Sequence, residues 1–386
     1  MTSRSVASGR LQRALIPVFA VLAALALGAI MLLALGANPL TGYWAMLRGA
    51  FGSSNALIET ALKATPLMLV GVGITIAFRA NVINIGGEGQ MILGGIFSTG
   101  VILALPDMSG FVLVPLVIVA GLTGGALWGA IPGALKAYFG VSEILSTIML
   151  NLVAAQLMNF LLRGPMIDPN ANQLGAIPQT ERLSEGSDLP ILIGSRLHAG
   201  PLIAVLAAIA AYVLLWRTTA GYRLRAVGLN PHAARYGGLP VKRSVVLALT
   251  FSGALAGLAG AVLVFGSESH RFVTDGSAAG FTGSAGFNGI VTALFGALHP
   301  LWTIPSSFLF GGLLVGANSL QRAVQVPQAL IVALNGLVVV FVVSSDWLRE
   351  RLGLTDEGHQ PESNDTADEA TVGDATVGDP TVDVEP

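Results

Sequence analysis

A chain of 386 residues that is 53% hydrophobic and only 11% charged does not read as a soluble domain, where about 25% of residues carry charge. Its net charge of −2 hides an asymmetry, because residues 355–386 hold ten Asp and Glu and no Lys or Arg, which leaves the rest of the chain net positive. The absence of cysteine excludes disulfides, thiolate metal sites and a Cys nucleophile.

Several apolar runs exceed 18 residues, the length that signals a transmembrane helix. Residues 1–13 carry Arg4, Arg10 and Arg13 and are followed by an apolar run of 23 residues from Ala14 to Gly36. A cleavable signal peptide has an apolar region of about 7–15 residues, so an uncleaved first span is the better reading. Residues 37–63 mix Tyr43, Trp44, Arg48, Phe51, Glu59 and Lys63 with apolar positions at helical spacing, which suits an interfacial amphipathic helix or an external loop. A second span is expected from Ala64 to Arg79. At about 24 Å it is shorter than the roughly 30 Å hydrocarbon core, so the polar stretch that follows should begin inside the membrane.

That stretch, Phe78 to Gln90, holds Arg79, Asn81, Asn84, Glu88, Gln90 and three glycines. Non-helical backbone at membrane depth needs protein or a water-filled cavity around it, and a buried Glu88 costs about 3 kcal/mol on the lenient insertion scale. Asn84, Glu88 and Gln90 are therefore candidates to line a solute path. Glu88 equally suits a cap on the positive end of the third span.

Further spans are expected from Glu88 to Leu105, Phe111 to Lys136, Glu143 to Leu162, Pro201 to Trp216 and Ser244 to Gly266, with three more over 287–298, 303–320 and 328–346. The first of those three is short enough to be a half-helix. Residues 164–200, with four prolines, read as an external loop. Residues 217–243, with six Arg and Lys, read as a cytosolic loop. The prediction is an all-α polytopic membrane protein of about ten transmembrane helices, occupying residues 14–346, with both termini cytosolic. This orientation places 13 of the 20 Lys and Arg inside, as the positive-inside rule requires. The basic residues thus serve topology, and no nucleic-acid footprint is read from them. The acidic tail, 355–386, is expected to be disordered.

Gly124-Gly125-Ala126-Leu127-Trp128-Gly129-Ala130 resembles Gly311-Gly312-Leu313-Leu314-Val315-Gly316-Ala317, and Leu150-Asn151-Leu152-Val153 resembles Leu334-Asn335-Gly336-Leu337-Val338. The fourth span runs inward and the ninth outward, so the halves read as inverted repeats with a solute path between them. Asn151 and Asn335 would line that path from the two halves, or hydrogen-bond between helices.

No HExxH or GxSxG is present, no close carboxylate pair lies outside the acidic tail, and the five histidines are scattered, so neither a catalytic centre nor a metal site is expected. No GxxxxGK[ST] loop is present, so any ATP is bound by a partner. Within the basic loop, Asn230-Pro231 signals a helix start and Gly237-Gly238 its end. A helix of one or two turns is rarely stable alone and has the shape to dock into a cleft of another protein.

Three motifs carry a family resemblance. The first runs from Lys63-Ala64-Thr65-Pro66 through Phe78-Arg79-Ala80 into Asn84-Ile85-Gly86-Gly87-Glu88-Gly89-Gln90. The second is Gly140-Val141-Ser142-Glu143-Ile144 through Leu150-Asn151. The third is Gly228-Leu229-Asn230 through Ala233-Ala234-Arg235-Tyr236-Gly237, followed by Phe251-Ser252-Gly253. Over about residues 40–346 the chain resembles permease subunits of ABC-type importers for nucleosides and simple sugars, the group related to branched-chain amino acid and ribose permeases. The resemblance implies cytosolic ABC ATPase subunits, a second permease subunit and an extracytoplasmic substrate-binding lipoprotein as partners, in a membrane lipid setting, with no cofactor in this chain. It assigns Gly228, Asn230, Ala233, Ala234, Arg235 and Gly237 to coupling with an ATPase groove. Nucleoside is the expected solute and simple sugar the alternative. A self-sufficient carrier is disfavoured by the lack of acids inside the later spans.

Overall fold

In the computed structural model the described residues are 22–105, 108–169, 177–184, 186, 188–193, 196–266, 270–327, 333, 336–337 and 340–341. The acidic tail, residues 1–21 and Asn335 lie outside them. The described helices are α1 (Leu22–Ala34), α2 (Pro39–Phe51), α3 (Ser54–Arg79), α4 (Gly87–Ala104), α5 (Gly110–Phe139), α6 (Glu143–Leu162), α7 (Gly200–Arg217), α8 (Thr219–Leu229), α9 (Pro231–Tyr236), α10 (Val241–Phe265), α11 (Ala278–Thr282), α12 (Ala285–Phe295) and α13 (Pro300–Val324). Six of them, α3, α5, α6, α7, α10 and α13, are long and apolar enough to cross a membrane. The chain is a multi-pass membrane protein. With 11 residues, or about 16 Å, α12 is the short helix expected near 287–298.

The second span differs from expectation. It starts at Ser54 and runs 26 residues, about 39 Å, so it does not stop short of a full membrane crossing. Glu59 and Lys63 were read as part of an interfacial segment, yet they lie inside this one helix. Ser53 starts it, accepting the Ala56 N–H at 3.1 Å. Pro66 removes one backbone donor without ending it, and the Thr65 hydroxyl adds a bond to the Ala61 carbonyl at 2.8 Å. The amphipathic segment expected over 37–63 is therefore confined to α2, capped by the Asn38 side chain.

α3 and α10 form the centre, with 78% and 67% of their apolar windows buried against 50% or less in the other four long helices. The two pack on each other. α10 also lies along α5 and α4, and α3 lies along α13 and α12. Glycine permits the closest of these approaches. A Cβ on Gly253 of α10 would run into the Gly125 carbonyl of α5, and one on Gly257 into that of Gly121. Likewise a Cβ on Gly311 of α13 would stand 2.8 Å from the Thr60 carbonyl of α3. In lipid, where apolar surface gains little by leaving its surroundings, such close packing is what holds helices together.

The two ends of the bundle differ. At one, residues 163–199 contain a short antiparallel hairpin, β1 (Ile191–Ile193) with β2 (Leu197–His198), where only loop was expected. This segment is tied to residues 270–274. Arg271 pairs with Asp168 at 2.6 Å; the Thr180 N–H donates to the Phe272 carbonyl and the Phe272 N–H to the Thr180 hydroxyl, each at 3.1 Å. At the other end, α8 and α9 follow α7. The expected cytosolic loop contains α9 and also α8, which the glycines at 221 and 228 concealed. Thr218 starts α8, its hydroxyl accepting the Gly221 N–H at 3.1 Å.

The glycine seam makes a testable prediction. Gly253→Val should cost about 1–3 kcal/mol through overpacking, read as a lower melting midpoint in detergent. Gly100→Ala, also in a helix but facing open space, should leave that midpoint unchanged or slightly raised, since alanine favours helix over glycine.

Candidate functional site

The polar break between α3 and α4 is built by local turn chemistry. Asn81 takes a left-handed conformation (φ 54°), which asparagine tolerates better than most residues, and the Val82 N–H returns to the Ala77 carbonyl at 3.1 Å. The chain then turns again at Asn84, whose Oδ1 accepts the Gly86 N–H at 2.9 Å in an Asx turn. Asn84, Glu88 and Gln90 are 1%, 2% and 1% exposed, so the break is interior to the protein despite the length of α3.

All four described path candidates are engaged in hydrogen bonds. Asn84 donates through Nδ2 to Gln90 Oε1 at 2.9 Å and to Ser252 Oγ of α10 at 2.8 Å. Asn151 of α6 bridges the break, accepting the Gly89 N–H at 2.8 Å and donating to the Ile85 carbonyl at 2.9 Å. These contacts bring α4, α6 and α10 together around the start of α4. Beside them, the buried Trp128 Nε1 has no hydrogen-bond partner and lies close to Gly89.

Glu88 does not cap its own helix through its side chain. Its carboxylate reaches α12, accepting the Phe287 N–H at 3.2 Å and the Thr282 hydroxyl. Phe287 stands in the first turn of α12. The N-terminus of α4 thus meets that of α12, and Gly87 and Gly286 let the backbones touch: a Cβ on Gly87 would stand 3.2 Å from Gly286 Cα. Thr282 and Phe287 carried no signal toward Glu88 in the sequence, since they lie about 200 positions away. Asn335 lies outside the described residues.

The far side of the break is tied to α8. Arg79, the last residue of α3, donates from Nε to the Leu298 carbonyl at 2.9 Å. Its guanidinium and that of Arg225 stand 5.5 and 5.7 Å from the Trp216 ring centre, within cation–π range. Gly228 packs so closely on the Arg79 carbonyl that no Cβ would fit.

α9 is the expected short helix. Asn230 Oδ1 caps it by accepting the Ala233 N–H at 2.9 Å, and Gly237 and Gly238 end it, Gly238 supplying the positive φ of 75°. The six residues assigned to coupling divide by direction. Ala234 is 7% exposed and turns toward the bundle, and Gly228 is occupied by Arg79. Asn230, Ala233, Arg235 and Gly237 are exposed. Tyr236 was not singled out, yet it is 94% exposed, and Leu229 is 69% exposed.

With this geometry in view, the family model described as the permease component of branched-chain amino acid transport systems matches residues 56–343. The chain belongs to this permease family. Among its relatives, the guanosine ABC transporter permease protein NupP of Bacillus subtilis is 35% identical over 344 residues, 89% of this chain and 97% of NupP. The glucose ABC transporter permease protein TsgB13 of Haloferax volcanii is 34% identical over 88% of this chain and 89% of its own. The nucleoside ABC transporter permease protein NupB of Lactococcus lactis is 31% identical over 87% and 92%. Every element of the break and of α9 lies within the matched span.

Removing the Glu88 carboxylate should be felt across the α4–α12 contact. Glu88→Leu leaves the Phe287 N–H without its acceptor, which costs about 1–3 kcal/mol, while the Thr282 hydroxyl keeps the Ala278 carbonyl as acceptor at 3.0 Å. Glu88→Gln, which keeps an acceptor, should fall between Leu and wild type. Detergent unfolding measures the order. Equal stability of all three would remove the capping role.

Proposed function

We propose that this permease is the membrane-spanning subunit of an ATP-driven importer for nucleosides. The observation that carries the reading is α9, a capped and protruding helix of six residues within a membrane bundle of the permease family. A helix this short has little stability of its own; here both caps and the buried Ala234 hold it in place, leaving Arg235 and Tyr236 free for a partner. The guanosine and nucleoside permeases among the relatives, matched over most of both chains, support the solute class. The similarly close glucose permease supports simple sugar as the second reading.

In this proposal the end bearing α8 and α9 faces the cytosol, since it collects Arg217, Arg223, Arg225, Arg235, Lys242 and Arg243. Cytosolic ATPases dock there, a second permease subunit completes the pair, and an external binding protein delivers the solute to the hairpin end. The halves are inverted repeats. Exchanging α3 with α10, α4 with α12 and α5 with α13 preserves the packing pattern: α5 on α10 becomes α13 on α3, and α4 on α10 becomes α12 on α3. Asn84, Glu88, Gln90 and Asn151, with Asn335 from the second half, then act at the meeting point of the halves, where their bonds form a polar lock that opens as the solute passes.

Reconstitution tests the function. Uptake of labelled guanosine into proteoliposomes should require the ATPase partner, ATP and the binding protein. Uptake by this chain alone would overturn the reading. Arg235→Glu together with Tyr236→Ala should abolish uptake at least tenfold while the binding protein still holds its solute. Unimpaired transport by that double variant would remove α9 from coupling.

A further inference from the structure

One cavity lies apart from the break, between α3, the end of α10 and the hairpin. Its volume is about 410 Å³, and it is lined by Glu59, Leu62, Lys63, Pro66, Arg196, His198, Val262, Leu263 and Gly266. Small-molecule sites span roughly 300–1,000 Å³. Glu59, Leu62, Lys63 and Pro66 fall at i, i+3, i+4 and i+7, so they form one stripe of α3. Pro66 has no N–H to offer the Leu62 carbonyl, the acceptor one turn earlier on the same stripe.

His198 is built into the wall. It is 8% exposed, its Nδ1 accepts the Gly200 N–H at 3.0 Å, and Gly200 and Gly266 close on its ring so tightly that neither position has room for a Cβ. With Nδ1 occupied as an acceptor, the proton of the neutral ring sits on Nε2, beside Gly266. Burial holds the imidazole below its ordinary pKa, in keeping with a neutral donor.

The cavity therefore combines an apolar floor of Leu62, Pro66, Val262 and Leu263 with one carboxylate acceptor, the cations of Lys63 and Arg196 and the donor of His198. Both signs of charge are present, which suits neither a bare anion nor a bare cation. A neutral vicinal diol satisfies both: its two hydroxyls donate to one carboxylate and accept from the cationic side, while the rest of the molecule covers the apolar floor. We infer that this cavity is a binding site for the vicinal hydroxyls of a sugar ring, with Glu59 as their acceptor. The inference rests on the import reading above and adds a site at the hairpin end, where the solute would be received before it reaches the polar lock. Ribonucleosides and free sugars share this chemistry.

Equilibrium binding to the detergent-solubilised permease–ATPase complex, without binding protein, tests it. Labelled guanosine and its 2′,3′-dideoxy form are compared, with glucose and 2,3-dideoxyglucose, which has no adjacent hydroxyls, as the sugar arm. Wild type should bind the diol-bearing member of a pair more tightly. Glu59→Gln should weaken that member about tenfold, the loss of a charge-assisted acceptor, and leave the deoxy member unchanged, which also reports that the protein is folded. Lys63→Met, on the same stripe, should weaken the diol in the same way. Equal weakening of both members, no effect of either substitution, no diol preference in wild type, or displacement by leucine, whose ammonium and carboxylate would pair with Glu59 and Lys63, overturns the site. ATP-driven uptake by wild type, measured alongside, separates failure of this site from failure of the import reading.

Discussion

Two helix N-termini converge in the interior of this protein, and a single carboxylate stands between them. Each terminus carries a positive partial charge of about half an electron and unsatisfied N–H groups. Brought together in a low-dielractric interior, two such ends repel and leave donors stranded. Glu88 answers both problems from the first turn of α4 by accepting the Phe287 N–H of α12 and the Thr282 hydroxyl. A buried carboxylate is costly by itself, and the convergent positive ends offset that cost. Neither the charge nor the helix ends would be tolerable at this depth without the other.

Much of the surrounding architecture follows from that contact. The backbones can meet only because Gly87 and Gly286 lack side chains. α4 must begin abruptly, so Asn84 and Asn151 take up the backbone groups that a continuous helix would have satisfied itself. α12 must end after 11 residues, and the Arg79 side chain, bonded to Leu298, joins the exit of α12 to the end of α3. The glycine seams between α5 and α10 and between α3 and α13 then bring the long helices near enough to enclose so much polar backbone. Small residues here serve depth of packing more than flexibility.

Much of this was legible in the sequence, for physical reasons that differ by element. Spans such as Glu143–Leu162 were read to the residue because apolar length is a strong signal in lipid. α9 was legible because Asn-Pro and Gly-Gly punctuate it. The concentration of Asn84, Glu88 and Gln90 marked the break, since polar groups at membrane depth are expensive. What stayed hidden was pairing at long range. Thr282 looks like an ordinary loop residue and Phe287 like the first residue of a short apolar run until the fold brings them to Glu88, and Ser252 looks like any small residue of a helix seam. The start of α3 was misplaced because Glu59 and Lys63 were taken as markers of the interface. In the folded chain they line a cavity instead, where charge can be hydrated.

The contacts at Arg79 link the two places where function is proposed. α9 follows α8 directly, and α8 is seated on α3 through Gly228 against the Arg79 carbonyl, with Arg79 and Arg225 both against the Trp216 ring. From Arg79 the chain needs only nine positions to reach Glu88. A displacement of α9 by a docked partner cannot be absorbed at Gly228, because there is no space between it and the α3 backbone. The load falls on the end of α3, and then on the short turn through Asn81 and Asn84. That turn is fixed by side-chain hydrogen bonds rather than by a continuous helix ladder, so it is where the strand of contacts can yield first. In the proposed coupling, a push delivered on the basic face would be directed to the hydrogen bonds of the break.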